Sequence, residues 1–329
     1  MKTLSVKFFG LCLIACLVLV LSACGSATKV AALTPVIVQL KWLHQAQFAG
    51  LYAAEQNGYY AVEGLKVSFI EGGPTVDLEK SVLDGTAQFG VIGAETLITD
   101  IADGKPLRAI AVIYRRSPLV FMALADSGIT RPQDFIGKTV QADTGAITLH
   151  AMLANVGISS AQYHEVNIGA DLEPFYSGKV QVWNAYINNE VLTAETDGHK
   201  INIIYPDDYG IHFYSDTLYT TEDTIAKNPD LVLRFLRATL KGWTYAVENP
   251  TLIAPMVSKY NPNADLQHET AQMTASLPLV NTGEDHIGWM KPEIWNGMER
   301  ILREQGVLTT ALDVTQAYLM QFLQEIYGK

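Results

Sequence analysis

The segment from Val36 to Tyr52 constrains the fold of this chain more than any other. It opens with Val36, Ile37 and Val38, a β-branched run that predicts a buried strand. A polar and aromatic loop follows, and then a helix with apolar residues on one stripe that ends near Gly58. A buried strand, a short loop and a helix form the repeating unit of an α/β sheet.

The loop in this segment predicts a binding site. In an open α/β sheet, ligands bind at the loops that leave the carboxyl ends of the strands. Trp42, Gln45 and Gln47 occupy that position, where they can stack on a flat polar molecule and hydrogen-bond to it. The alternative is that Trp42 covers the sheet edge and that both glutamines are solvated.

Strand and helix patterns alternate along the chain and predict two α/β lobes. The first four strands are expected, in a mostly parallel sheet, at 36–42, 66–70, 87–92 and 107–114. The same alternation recurs up to about residue 205, the chain returns near 213–219, and helices dominate from 224 onward. Two crossings make a hinge beside a cleft. We therefore expect a first lobe from 35–120 and 216–329, with the C-terminal helices packed on it, and a second lobe from 121–215.

The N-terminal segment has the pattern of a lipoprotein signal peptide over residues 1–23. Lys2 and Lys7 precede an apolar run that is too short to span a membrane comfortably, and Leu21-Ser-Ala-Cys24 looks like a lipobox. We expect Cys24 to be acylated and 24–34 to be a flexible tether that holds the protein at the outer face of a membrane. The alternative is an ordinary secretory signal with a chance cysteine.

Composition excludes several other function classes. The chain has three cysteines, two of them in the leader and the third at Cys24, so the fold should contain neither a disulfide nor a thiolate metal site. Its formal charge is −11, and its sequence has no basic stripe that could follow a phosphate backbone, so nucleic acid is not an expected partner. No hydrolase elbow, phosphate loop or His-Glu-x-x-His motif is present, and the seven histidines lack ligand spacing. We expect a binding protein without a metal, a cofactor or catalysis.

The candidate ligand-binding residues are aromatic, amide and acidic side chains that follow predicted strands in both lobes, together with small residues at helix starts. Such a set can hold a flat heterocycle between rings while amides and a carboxylate read its edge. The candidates are Trp42, Gln45, Gln47, Phe48, Tyr52, Gly93, Ala94, Glu95, Tyr114, Thr144, Gly145, Trp183, Tyr186, Asn188, Glu190 and Tyr214.

Three segments carry a family resemblance. These are Phe48-Ala-Gly-Leu-Tyr-Ala-Ala-Glu-x-x-Gly-Tyr-Tyr-x-x-Glu-Gly-Leu65, Gly90-Val-Ile-Gly-Ala-Glu95 and Gly178-Lys-Val-Gln-Val-Trp-Asn-Ala-Tyr186. They resemble bacterial solute-binding proteins of the group similar to thiamine-pyrimidine synthase. The resemblance implies a type II periplasmic-binding-protein-like fold, a monomer, and delivery of a small molecule to an ABC permease.

One departure from the group narrows the expected ligand. Binders of the thiamine pyrimidine precursor carry Trp-x-Pro-Asn-x-x-His-Thr-Gly after the first strand, whereas this chain has Trp42-Leu-His-Gln-Ala-Gln-Phe-Ala-Gly50. That version resembles the riboflavin-binding branch, which implies riboflavin or a close flavin as the transported ligand. Glu190 matches the position where the pyrimidine binders place an acid against an aminopyrimidine; it could instead be an ordinary acid in the first turn of a helix.

Three alternatives remain open at this point. A thiamine pyrimidine precursor is the alternative ligand within the same class. An alkanesulfonate, nitrate or bicarbonate binder would need cationic residues, for which Arg115 and Arg116 are the candidates. A pyridoxal-phosphate-dependent pyrimidine synthase would need an internal lysine, for which Lys41 and Lys138 are available, but the export signal argues against an intracellular enzyme.

Overall fold

The structure is a computed structural model that describes residues 32–73, 75–142 and 145–329. The predicted leader 1–23, Cys24 and Thr144 lie outside the described residues. Thr34–Lys329 form one compact unit. Within it, the strands form two separate five-stranded sheets.

The first sheet has the strand order β2-β1-β3-β10-β4. Its strands are β1 Thr34–Gln39, β2 Leu65–Ile70, β3 Phe89–Ile92, β4 Leu107–Val112 and β10 Thr217–Thr221. β1 pairs in parallel with β2 and β3, whereas β10 runs antiparallel to both β3 and β4. The sheet is therefore mixed rather than uniformly parallel. The reversal arises because the returning chain enters at the carboxyl end of β3, where Thr217 pairs with Ile92.

The second sheet repeats this arrangement with the order β7-β6-β8-β5-β9. Its strands are β5 Leu119–Leu124, β6 Thr139–Gln141, β7 His164–Val166, β8 Val182–Tyr186 and β9 Ile201–Ile204. β6 pairs in parallel with β7 and β8, and β5 runs antiparallel to β8 and β9. In each sheet, the strand that arrives from the other sheet is the reversed one. The chain crosses twice, once between β4 and β5 and once between β9 and β10.

Thirteen α-helices cover the two sheets in the described part of the chain. They are α1 Ala49–Gln56, α2 Tyr59–Val62, α3 Leu78–Leu83, α4 Ala94–Ala102, α5 Ala146–Asn155, α6 Glu173–Tyr176, α7 Glu190–Thr196, α8 Glu222–Lys227, α9 Pro229–Glu248, α10 Ile253–Val257, α11 Leu266–Val280, α12 Pro292–Glu304 and α13 Gln321–Tyr327. We use "first lobe" for the first sheet with α1–α4 and α8–α13, and "second lobe" for the second sheet with α5–α7.

The C-terminal helices pack on the first lobe, as predicted. The helical periodicity expected after residue 228 becomes the 20-residue helix α9, whose Phe235, Leu236 and Trp243 are buried. Helices are expected throughout the region after 224, but residues 317–320, between a 3-10 turn at Val314–Gln316 and α13, are not helical. There Ala317 O accepts a hydrogen bond from Ala109 N, and Leu319 N donates to Ala109 O, so the edge of β4 holds this segment in an extended form.

Two glycines allow α1 and α9 to approach each other closely. A Cβ atom placed on Gly242 would lie 2.7 Å from the Ala54 Cβ and even closer to the Gly50 carbonyl oxygen. A Cβ atom on Gly50 would overlap the indole of Trp243. The Gly50 carbonyl oxygen is a main-chain atom, so it cannot move aside by rotation of a side chain.

Gly242→Ala should therefore destabilise the protein by about 3 kcal/mol or more, since the added methyl group forces the two helices apart. Gly297→Ala is the matched control, because Gly297 lies in α12 with nothing within 4 Å of an added Cβ. The control should gain about 0.5–1 kcal/mol from helix propensity. Urea unfolding measures both, and equal effects of the two substitutions would contradict this packing.

Candidate ligand-binding site

The candidate site lies where the carboxyl ends of β1 and β8 face each other across the two lobes. β1 ends at Gln39, and the loop after it carries Lys41, Trp42 and Gln45. β8 ends at Tyr186 on the opposite side, and α7 begins four residues later. Both lobes thus present the loops that follow their central strands, which is the expected ligand position in α/β sheets.

A cavity of about 610 Å³, counted with the open solvent at its mouth, occupies this position. Its lining combines indole and phenol rings with amides and charged groups from both lobes. The lining residues are Lys41, Trp42, Gln45, Gln47, Gly169, Ala170, Trp183, Asn184, Ala185, Tyr186, Asn189 and Glu190.

Six of the predicted residues line this cavity: Trp42, Gln45, Gln47, Trp183, Tyr186 and Glu190. Trp42 and Tyr186 come from different lobes and border the same space. Lys41, which the sequence suggests only as an aldimine lysine, also lines the cavity, and its position beside Trp42 in the same loop is the signal that points to it. Gly169 and Ala170 line the cavity but are not among the residues that the sequence predicts. Their position after β7, at the same edge of the second sheet, could have pointed to them.

A polar network links Lys41 to both lobes. The Lys41 ammonium donates to the Tyr186 hydroxyl over 2.7 Å and to Asp216 Oδ1 over 3.4 Å. Gln47 Nε2 donates to the other oxygen of Asp216 over 2.6 Å, and Gln45 Nε2 donates to Gln47 Oε1 over 2.6 Å. The network fixes the positions of the amides that line the first-lobe side of the cavity.

Lys41 keeps its charge in this environment. Its side chain is 17% exposed, and that of Asp216 is 2% exposed. Burial works against the charged form, but Tyr186, Asp216 and Glu95 outweigh it and hold the pKa of the Lys41 ammonium above its ordinary value. Burial also raises the pKa of Glu95, whereas Lys41 opposes that rise. An ammonium ion therefore faces the cavity at neutral pH.

Glu190 organises the second-lobe side. Its Oε2 accepts a hydrogen bond from Tyr186 N over 2.7 Å, and its Oε1 accepts one from Asn189 Nδ2 over 2.8 Å. Glu190 therefore lines the cavity and also ties the loop of Tyr186 to the first turn of α7.

A second group of contacts joins the lobes beside the cavity. Asn188 Nδ2 donates to Ser276 Oγ over 2.8 Å and to the Tyr114 hydroxyl over 3.2 Å. His268 and Asn189 are hydrogen-bonded over 3.2 Å. Tyr114 and Asn188 are thus buried between the lobes, and they are not among the cavity-lining residues.

The aromatic candidates Phe48, Tyr52 and Tyr214 lie in the core rather than on the cavity. Tyr52 stacks on Tyr260 with 4.5 Å between ring centroids, and its hydroxyl contacts His44 Nδ1 over 2.8 Å. The Tyr214 hydroxyl accepts a hydrogen bond from Lys291 N. Tyr52 also packs edge-on against Phe69 of β2, and Tyr214 packs edge-on against Trp295 of α12, so both rings are held in the core.

The small-residue candidates lie at helix starts. Gly93 precedes α4, and a Cβ atom there would overlap the carboxylate of Glu95, so Gly93 leaves room for that side chain. Ala94 is fully buried. Gly145 precedes α5 and packs against Asn184, which lines the cavity.

The two arginines considered for an anion site do not line this cavity. Arg115 is buried, and its guanidinium donates to the Asp285 carbonyl and carboxylate over 2.9 and 3.3 Å. Arg116 borders a separate cavity along the hinge, together with Leu119, Phe213 and Leu279.

Within the described residues, neither a cluster of metal ligands nor a membrane-spanning helix is present. No group of three or more His, Cys, Asp and Glu side chains there is arranged to hold a metal ion. No helix of that part combines the length and the apolar character needed to cross a membrane.

Glu269 supports the cavity loop from α11. Its Oε2 accepts a hydrogen bond from Ala46 N over 2.6 Å, and only 5% of the residue is exposed. Burial raises the pKa of the Glu269 carboxyl to about 7, an effect that the bond from Ala46 partly offsets. The loop that carries Gln45 and Gln47 thus rests on a group that titrates near neutrality.

The folded protein should lose stability as the pH rises from the unfolded pKa of Glu269, about 4.5, to about 7, because the native state binds the proton more tightly in that window. Glu269→Gln keeps an acceptor for Ala46 N and removes the titration. It should flatten this slope and stabilise the protein at pH 8 on the order of 2 kcal/mol. Thermal unfolding against pH tests this. Glu248→Gln is the control, because Glu248 is exposed. If stability depends on pH in the same way in Glu269→Gln as in the unsubstituted protein, the raised pKa of Glu269 is contradicted.

Comparison with known proteins gives consistent sequence relatives. The family described as NMT1/THI5 like matches residues 45–253. The riboflavin-binding protein RibY of Chloroflexus aurantiacus is 27% identical over 309 residues, covering 88% of this chain and 86% of that protein. The formylaminopyrimidine-binding protein of Halalkalibacterium halodurans is 27% identical over 296 residues, covering 84% and 90%. A 4-amino-5-hydroxymethyl-2-methylpyrimidine phosphate synthase of Legionella pneumophila is 24% identical over 303 residues, covering 88% and 92%.

Solved structures identify the fold. The periplasmic aliphatic sulphonate binding protein SsuA from Escherichia coli matches with a TM-score of 0.67 at 13% identity, covering 86% of this chain and 91% of that chain. At this identity the likeness concerns the fold alone. It confirms the prediction of an α/β periplasmic-binding-protein-like fold with two lobes.

Proposed function

This chain belongs to the NMT1/THI5-like family, and on that premise we propose that it is the solute-binding subunit of an ABC importer and that its ligand is riboflavin or a close flavin. The sequence relative named for riboflavin binding supports the ligand, as does the departure at Trp42–Gly50 from the pattern of the pyrimidine binders. The second relative is named for binding formylaminopyrimidine, so both relatives support a binding protein for a heterocycle.

One observation carries the proposal: Trp42 and Tyr186 reach a single cavity from opposite lobes. Trp42 packs on the core with part of its side chain and lines the cavity with the rest. Indole and phenol rings stack on planar ligands, and amides beside them read the polar edge. Gln45, Asn184 and Asn189 supply those amides.

Ligand capture follows from the connection between the lobes. The Lys41–Tyr186 and Asn188–Ser276 hydrogen bonds form only when the lobes are close, since each joins side chains of different lobes. A ring held between Trp42 and Tyr186 adds contacts to this closed state and not to an open one. Its binding energy therefore shifts the population toward closure, which a permease can recognise.

A thiamine pyrimidine precursor remains the alternative ligand. Glu190 favours it, because a carboxylate on the cavity wall can accept a hydrogen bond from an exocyclic amino group. An enzyme of the synthase type is less well supported, although one relative bears that name. Lys41 is the lysine on the cavity wall, and its pairing with Asp216 keeps it as an ammonium, whereas an aldimine needs the free amine.

Riboflavin should lose fluorescence on binding to the purified protein, because stacking on indole quenches flavin emission. Trp42→Ala should weaken binding by about 2 kcal/mol, roughly 30-fold, through the loss of ring contact. Tyr205→Ala is the control, since Tyr205 is 40% exposed and is not a lining residue of this cavity. No quenching with micromolar riboflavin would exclude the flavin. A thermal shift with formylaminopyrimidine alone would then favour the alternative.

The location at the membrane is part of the proposal. Leu21-Ser-Ala-Cys24 has the lipobox pattern, so acyl chains on Cys24 would hold the protein beside its permease, facing outside the cytoplasm.

Cys24→Ser should move the protein from the detergent phase to the aqueous phase in a Triton X-114 partition of expressing cells, because the acyl chains supply the membrane affinity. The unsubstituted protein should stay in the detergent phase. Equal partitioning of the two would remove the lipid anchor and leave the ligand proposal intact.

A further inference from the structure

We infer that the Lys41 ammonium donates a hydrogen bond to a carbonyl oxygen of the ligand. The site would then select heterocycles with a carbonyl-bearing edge over aminopyrimidines. This inference rests on the proposed function and adds to it the chemical class of ring that the cavity accepts.

Lys41 has one N–H to spare. An ammonium group has three donors and no acceptor. Two of them are directed at the Tyr186 hydroxyl and at Asp216 Oδ1. The third is available to the cavity, which Lys41 lines. A charged donor in a partly desolvated place forms a strong hydrogen bond with a carbonyl oxygen and is costly to leave unpaired.

Two carboxylates beside the cavity, Asp216 and Glu190, already accept internal hydrogen bonds. Asp216 accepts from Lys41 through one oxygen and from Gln47 through the other. Glu190 accepts from Tyr186 N and from Asn189. An exocyclic amino group would have to compete with these short internal bonds, and it would bring a donor toward the Lys41 ammonium. A ring edge with carbonyl oxygens meets neither obstacle.

A purely structural role for Lys41 makes a different prediction. If Lys41 served only to join the lobes through Tyr186, its loss would weaken every ligand equally. Tyr186→Phe removes that bridge and keeps Lys41, so it separates joining the lobes from reading the ligand.

The test uses riboflavin and its analogues in which sulfur, a weaker acceptor, replaces the oxygen on C2 or on C4. Calorimetry first measures these three ligands with the unsubstituted protein, which needs no variant to fold. One of the two analogues should bind about tenfold more weakly than riboflavin. Lys41→Met should bind riboflavin about 10- to 100-fold more weakly, and it should lose the difference between riboflavin and that analogue. Tyr186→Phe should retain the difference.

Two further proteins keep the result interpretable. Lys41→Met leaves Asp216 buried without its cation, so the double variant Lys41→Met with Asp216→Asn is measured beside it. Lys105→Met is the control for loss of a lysine, since Lys105 pairs with Asp100 away from the cavity.

The outcomes separate the inference from the proposed function. If the unsubstituted protein binds riboflavin but both analogues bind as well as riboflavin, or if the Lys41 variants keep the difference, the carbonyl role is overturned and the function stands. If the unsubstituted protein binds no flavin at all, the choice of a flavin as ligand and the carbonyl role are both overturned.

Discussion

The arrangement of the cavity depends on one buried charge, the Lys41 ammonium between Asp216 and Tyr186. Asp216 is almost fully buried and would be unfavourable without a cation. Lys41 supplies that cation and reaches across to the other lobe through the Tyr186 hydroxyl. The same ion pair thus orients Gln47, defines one wall of the cavity and, through the Tyr186 hydroxyl, joins the two lobes beside it.

The topology brings these residues together. β1 and β8 belong to different sheets, and each delivers a loop to the same edge of the protein. β5 and β10 run against their parallel neighbours because the chain enters both sheets from that edge. Asp216 immediately precedes β10, so the returning strand carries the buried acid to the point where the loop after β1 can pair with it. The second crossing between the sheets therefore forms part of the hinge and also supplies the acid of the ion pair.

Short-range sequence patterns predict the parts of the site that a single continuous segment forms. The β-branched run at Val36–Val38 and the loop after it predicted the first-lobe wall, because ligand loops follow the strands of α/β sheets. The Lys41–Asp216 pair spans 175 positions, and no short-range pattern reveals such a partner. The sequence predicts Phe48 and Tyr52 in the site because they follow the same loop. Both rings are buried in the core, however, and the sequence alone does not show which face of a helix borders a cavity.

On the proposed function, a planar ring is held between Trp42 of the first lobe and Tyr186 of the second. A crystal structure of the protein with riboflavin tests this most directly. The isoalloxazine ring is expected in the cavity between these two side chains, with the lobes closed on it. Flavin bound instead in the hinge cavity beside Arg116 and Phe213, with Trp42 and Tyr186 free of ligand, would contradict it.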